Sequence, residues 1–202
     1  DPRSSMAAYF LGLNYKVMED YRQAVPHLRD AVTLVPHIKE ALIELIDALY
    51  QIDNLTEAKK WIEVGEKEKI QPARLQFLKG LVLAKQGKNI EAIEAFEKAK
   101  ALDKTLSQPV EFQIASAYMK EGKFKEARDR FKFVTTVDPT SDLGTFARDY
   151  ERLLSEKLER ERPFRINVGI GYKFDTNVTT KPSSGAVADI ISGKDDSAIN
   201  TN

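Results

Sequence analysis

Cysteine is absent from all 202 residues, which rules out disulfides, thiol nucleophiles and zinc–thiolate sites. The absence suits an oxidising compartment and the cytosol equally. Histidine is scarce as well. His27 and His37 are the only two, neither has a metal-spaced partner, and both read as surface residues, so no metal site is expected. Charge of one sign is not in excess: 31 Lys and Arg balance 31 Asp and Glu. A balanced chain lacks the basic stripe that nucleic acid or an anionic membrane surface would call for. No stretch approaches the roughly 20 apolar residues that span a bilayer as a helix. Phosphate-cradling glycine loops and nucleophile elbows are missing. Acid pairs such as Glu19-Asp20 and Asp195-Asp196 fall in loops and read as solvation. The expectation is a chain that is not an enzyme and carries no cofactor. The opening Asp1-Pro2-Arg3-Ser4-Ser5 has neither the basic lead nor the apolar core of a signal peptide, nor an initiating Met, and reads as a processed or excised fragment.

What the chain has is a repeat. Ala24, Ala58, Ala92 and Ala127 recur at spacings of 34, 34 and 35 residues. Each stands four residues before a bulky apolar residue: Leu28, Ile62, Phe96 and Phe131. Sixteen residues upstream of those four lie Gly12, Ile46, Gly80 and Ala115, followed three positions on by Tyr15, Leu49, Leu83 and Tyr118. This spacing predicts two antiparallel helices per unit, brought close by small residues and wedged by large ones. Turn signals fall between the two helices at Met18-Glu19-Asp20, Asp53-Asn54, Gln86-Gly87-Lys88 and Glu121-Gly122-Lys123. Pro36 and Pro139 are placed to end second helices.

The pattern resembles the tetratricopeptide repeat family. Unit one carries Leu11, Gly12, Tyr15, Ala24, Leu28, Ala31 and Pro36; unit two carries Leu42, Leu45, Leu49, Ala58 and Ile62, with Ile46 in place of the small residue and Gly65 in place of the second alanine. Unit three offers Gly80, Leu83, Ala92, Phe96 and Ala99, with Lys104 where proline usually sits, and unit four offers Ile114, Ala115, Tyr118, Ala127, Phe131 and Pro139. The expected fold is all-α: a solenoid of four helix pairs over residues 1–140, then a capping helix over 141–162. Ser141-Asp142 reads as that helix's start, and Leu143, Phe146, Ala147, Tyr150, Leu153, Leu154 and Leu158 recur at helical spacing. A cap needs one face on the last repeat and the other in water.

At Pro163 the period changes. Phe164, Ile166, Val168, Ile170, Tyr172 and Phe174 alternate with Arg165, Asn167, Gly169, Gly171 and Lys173, which predicts a β-strand over about 164–174. The remainder of 163–202 is rich in Ser, Thr, Asn, Gly and Asp and reads as polar loop, with 186–191 able to form a second short strand. Asn177-Val178-Thr179 fits a glycosylation sequon, a pattern too short to carry weight.

In the family the first helices line the concave side. The resemblance implies a partner-binding groove of Tyr9, Leu13, Val17, Ile43, Asp47, Tyr50, Phe77, Leu81, Lys85, Phe112, Ser116, Met119 and Lys120. Exposed together, these would form an apolar strip of the kind that marks a partner surface; the alternative is that some are inter-repeat core. Tyr9 and Leu13 stand where carboxylate-clamping members carry lysine and asparagine, so a helix or an extended apolar segment is the expected ligand. The 164–174 segment has the length and alternation of one transmembrane β-strand. With the run 169–178 it resembles the opening strand of outer-membrane barrels that follow a periplasmic repeat domain, as in exopolysaccharide exporters and surface-lipoprotein assembly modifiers. That resemblance implies a periplasmic arm of an outer-membrane export protein, recruiting cargo or assembly partners. The alternative is a free-standing adaptor, cytoplasmic or periplasmic, whose strand pairs in a homo-oligomer or on a partner's sheet edge.

Overall fold

The computed structural model describes residues 4–161. The expected strand at 164–174 and the polar tail lie outside the described residues. Within them the chain is all-α, as the repeat predicts. The helices are α1 (Ser5–Val17), α2 (Tyr21–Thr33), α3 (Glu40–Gln51), α4 (Leu55–Glu68), α5 (Pro72–Lys85), α6 (Asn89–Leu102), α7 (Ser107–Lys120), α8 (Phe124–Val137) and α9 (Asp142–Arg160). A 3-10 turn, Lys104–Leu106, precedes α7 and accounts for the one extra residue in the last repeat spacing.

Four turns join the helices of each pair, and they share one backbone solution. Glu19, Asp53, Gly87 and Gly122 adopt left-handed φ values of 58°, 64°, 78° and 71°. The next amide then reaches back to a carbonyl five residues earlier: Asp20 to Tyr15 (2.9 Å), Asn54 to Leu49 (2.9 Å), Lys88 to Leu83 (3.0 Å) and Lys123 to Tyr118 (2.9 Å). These bonds satisfy carbonyls left open at the end of each first helix. Asp20 and Asn54 then cap the following helices, accepting from the amides of Gln23 (3.1 Å) and Glu57 (3.3 Å). The first helices end where the turn signals lie. α2 and α8 stop at Thr33 and Val137, ahead of Pro36 and Pro139.

Close approach within a pair rests on the small residues. A Cβ on Gly12 would stand 2.7 Å from Leu28 Cγ, and one on Gly80 would strike the Phe96 ring. Unit two reverses the arrangement. Ile46 is fully buried where the other units have a small residue, and the gap opens one helix later, where a Cβ on Gly65 would meet Leu42 and Leu75 at 2.9 and 3.0 Å. The core is divided along the array. One cluster runs from Ala24 to Val82, a second joins Phe96, Val110 and Ile114, and a third joins Ala115, Phe131, Val134, Ala147 and Leu154. Trp61, the single tryptophan, packs half-buried on the first cluster, and its indole N–H donates to Glu57 (3.3 Å).

Successive first helices touch along the array, α1 on α3, α3 on α5 and α5 on α7. Second helices are linked through long side chains, as where Arg29 Nη2 of α2 meets Glu57 Oε1 of α4 at 2.8 Å. The first helices therefore form the inner face. α9 follows the fourth pair. Its N-terminus is fastened by Ser141, whose Oγ accepts from the Gly144 amide (3.0 Å), and by Gln108 Nε2, which donates to Ser141 Oγ (2.8 Å) and the Asp138 carbonyl (3.0 Å). The side of α9 that would receive a further second helix presents Thr145, Arg148, Asp149 and Arg152, all exposed and polar.

Candidate functional site: the inner face

The inner face changes character along its length. At the α1–α3–α5 end it is a closed polar network. Lys16 Nζ sits 2.6 Å from both Glu44 Oε2 and Asp47 Oδ2, and Arg74 Nη2 of α5 reaches the other oxygen of Glu44 at 3.3 Å. Burial by itself would lower the pKa of Lys16, but the hydrogen bonds it donates to Asp47 and Glu44 outweigh it and hold the ammonium above its ordinary value. Tyr9 is pushed up by burial and by the nearby Glu44 and Glu40 carboxylates. Lys85 of α5 donates to the Tyr50 carbonyl (3.0 Å), lies 4.7 Å from the centre of the Tyr50 ring and pairs with Asp53 (3.1 Å). Asp47 and Lys85 thus spend their charges on neighbouring repeats.

Toward α9 the face becomes apolar. Phe77 and Leu81 of α5 and Phe112 and Met119 of α7 are half-buried. Ser116 donates its hydroxyl to the Phe112 carbonyl (2.9 Å), so it adds no free polar group. On α9, Phe146, Tyr150 and Leu153 are exposed at 57%, 37% and 52%. The Tyr150 ring stacks on Phe131 at 5.0 Å and meets Phe112 edge-on at 6.3 Å, which joins the α9 residues to those of α7.

The expected groove residues therefore divide. Tyr9, Leu13, Tyr50, Phe77, Leu81, Phe112, Ser116 and Met119 are half-buried along the first helices, and Lys120 is exposed. Ile43 is a correction. It is only 1% exposed and belongs to the first core cluster, because α3 is enclosed by α1, α2, α4 and α5. Val17 is exposed at 84%, at the last residue of α1. The alternative that some of the set is inter-repeat core holds for Ile43, and first helices in contact cover much of each side chain they present. The sequence reading passed over Phe146, Tyr150 and Leu153 as groove residues. The signal was available: they lie 34 residues after Phe112, Ser116 and Met119. Among the described residues no group of three or more His, Asp or Glu side chains could hold a metal ion.

Comparison with known proteins agrees with this architecture. Residues 12–119 match the model of the TT21 fifth ARM repeats domain. No curated protein matches the chain. Among solved structures the fold is similar to MamA from AMB-1, with 18% identity, a TM-score of 0.60, and 79% of this chain and 85% of that chain covered. It is similar to MamA from Desulfovibrio magneticus RS-1, with 13% identity, a TM-score of 0.59 and coverage of 79% and 97%. PilF from Pseudomonas aeruginosa is alike at 21% identity, a TM-score of 0.60 and coverage of 79% and 77%. At such identities the likeness is one of fold. Over more than half its length the chain matches one family model and folds as packed helix pairs in a tetratricopeptide-like solenoid, and it belongs to the TT21 fifth ARM repeats domain family.

Proposed function

We propose that the protein is an interaction scaffold that holds an apolar segment of a partner, a helix or an extended strand, along α5, α7 and α9. The observation that carries this reading is the ladder of Phe77, Phe112 and Phe146 flanked by Met119, Tyr150 and Leu153. Large apolar side chains left partly open on one continuous face are unusual without a partner, and aromatic ones contribute most to binding. The polar end of the same face is consumed by its own ion pairs, so a ligand is recognised at the α7–α9 end.

The finer reading places this scaffold in the periplasm, ahead of an outer-membrane barrel, where it gathers export cargo or assembly partners. Its support is the alternating apolar and polar sequence of 164–174, which follows the repeat array directly. A photo-crosslinking residue at Phe146 in the native protein tests both levels. The expected result is a discrete adduct recovered with the periplasmic or outer-membrane fraction, lost when Leu153→Glu is added. Leu153 is half in solvent, so its substitution should leave stability within about 0.5 kcal/mol. Adducts indifferent to Leu153→Glu would sink the groove. An adduct confined to the cytosol, or a coding sequence that ends near Asn202, would remove the barrel and leave the scaffold.

A further inference from the structure

The turn inside each pair follows the same end of its first helix, so the four turns line one edge of the array. Charge changes sign along that edge. In the first two turns, 17–21 and 51–55, stand Glu19, Asp20 and Asp53, with no lysine or arginine. In the third and fourth, 85–89 and 120–124, stand Lys85, Lys88, Lys120 and Lys123 against Glu121 alone. Glu121 accepts from Asn89 Nδ2 at 2.6 Å, and Lys85 is taken by Asp53. The whole chain is neutral, so this is a local segregation of charge.

Helix chemistry does not account for two of these lysines. Residues 20, 54, 88 and 123 are the N-caps of α2, α4, α6 and α8. Asp20 and Asn54 accept from the amides of Gln23 and Glu57, and Gln23 and Glu57 complete the sequence of a capping box. α6 and α8 keep the third residue of that box as Glu91 and Glu126, but the caps are Lys88 and Lys123, which make no capping bond. An ammonium cannot accept a hydrogen bond, and the positive end of the helix dipole repels it. Little is recovered within the chain. Lys88 meets Glu91 only at 3.9 Å, Lys123 lies 5.8 Å from the centre of the Tyr118 ring, and both lysines are exposed. A helix rule broken twice at one exposed repeat position marks a surface kept for another purpose.

We propose that Lys88, Lys120 and Lys123 receive carboxylates of the partner, so that the segment held along α5, α7 and α9 is acidic on one side and apolar on the other. The inference rests on the groove reading and adds the charge of its ligand. Lys120 is exposed, pairs with no carboxylate among the described residues and directly follows Met119 on α7. The lysine edge therefore borders the apolar face, at the same end of the array. The acidic edge of the first two pairs repels the same carboxylates, which confines such a segment to the α5–α9 end.

Fluorescence anisotropy tests the proposal on the 1–202 chain with two short labelled peptides, one alternating leucine and glutamate and one alternating leucine and lysine. At low salt the glutamate peptide should bind at least about tenfold more tightly than the lysine peptide. In the double variant Lys88→Asp, Lys123→Asp that preference should shrink to within about twofold. The same variant should raise the urea midpoint, because it restores both capping boxes. Weaker binding by a more stable protein separates a ligand contact from a structural one. No binding of the glutamate peptide, no preference for it, or a preference that survives in the variant would overturn the inference, as would a lowered midpoint. Leu153→Ser keeps the two readings apart. If it weakens both peptides while no charge preference exists, the groove stands and the acidic ligand falls. If it changes neither while the lysine-dependent preference persists, the cationic edge stands and the groove falls.

Discussion

At the scale of single residues, the repeat asks for two things: small side chains where helices touch, and left-handed backbone where they turn. Glycine meets the second demand at positions 87 and 122, but Glu19 and Asp53 hold the same conformation with side chains that disfavour it. Neither side chain is buried. Glu19→Gly should therefore raise stability by about 1 kcal/mol. Asp53→Gly should gain less, because it also gives up the ion pair with Lys85 (3.1 Å). Urea denaturation midpoints would measure both, and a lowered midpoint for Glu19→Gly would contradict the account of the turn. These positions were legible in advance as turns because Gly87 and Gly122 share their phase. What could not be read was burial. A 34-residue period places Ile43 on a helix face but does not say that α1 and α5 close over it. The same period also marks Phe146, but a helix expected as a cap is assigned only one working side.

Among elements, α9 is the one whose docking can be isolated. The Cα of Gly144 lies so near the Asp138 carbonyl that a Cβ would collide with it. A collision with backbone cannot be relieved by a side-chain rotation, so Gly144→Ala should cost about 1–3 kcal/mol and loosen α9. Faster hydrogen exchange confined to 142–160, with the α1–α4 region unchanged, is the expected signature; uniform destabilisation would argue against it. The junction of α6, α7 and α8 is held differently, by a buried carboxylate. Glu111 is 3% exposed and receives Lys100 Nζ at 2.6 Å and Arg130 Nη1 at 2.8 Å. No periodic signal announces such a group, because it stands where the other units place ordinary core or surface side chains and is identified only by the cations around it.

For the whole molecule, these ion pairs define a pH range. Burial opposes the charge on Lys100, but hydrogen bonds to Glu111 and Glu97 raise its pKa above the ordinary 10.5, and Lys16 behaves alike. Their contribution is complete below about 10.5 and is lost as pH climbs through the raised folded-state values. Glu66 runs the other way. Burial would raise it, yet hydrogen bonds from Lys79 and Gln76 hold it below its ordinary 4.5. Its contribution is present above that value and disappears as pH falls through the lower folded-state one. Stability against urea should be level between roughly pH 5 and 10 and decline on both sides; a slope near neutrality would contradict this assignment. The division of the core into three clusters also bears on how the molecule can be observed. The lone indole of Trp61 sits on the first cluster beside the Arg29–Glu57 pair, far along the chain from Phe131 and Leu154. Its emission is a local gauge of the α2–α4 junction and is blind to the α7–α9 end, where only the tyrosines and phenylalanines of the partner face can signal optically that anything has arrived.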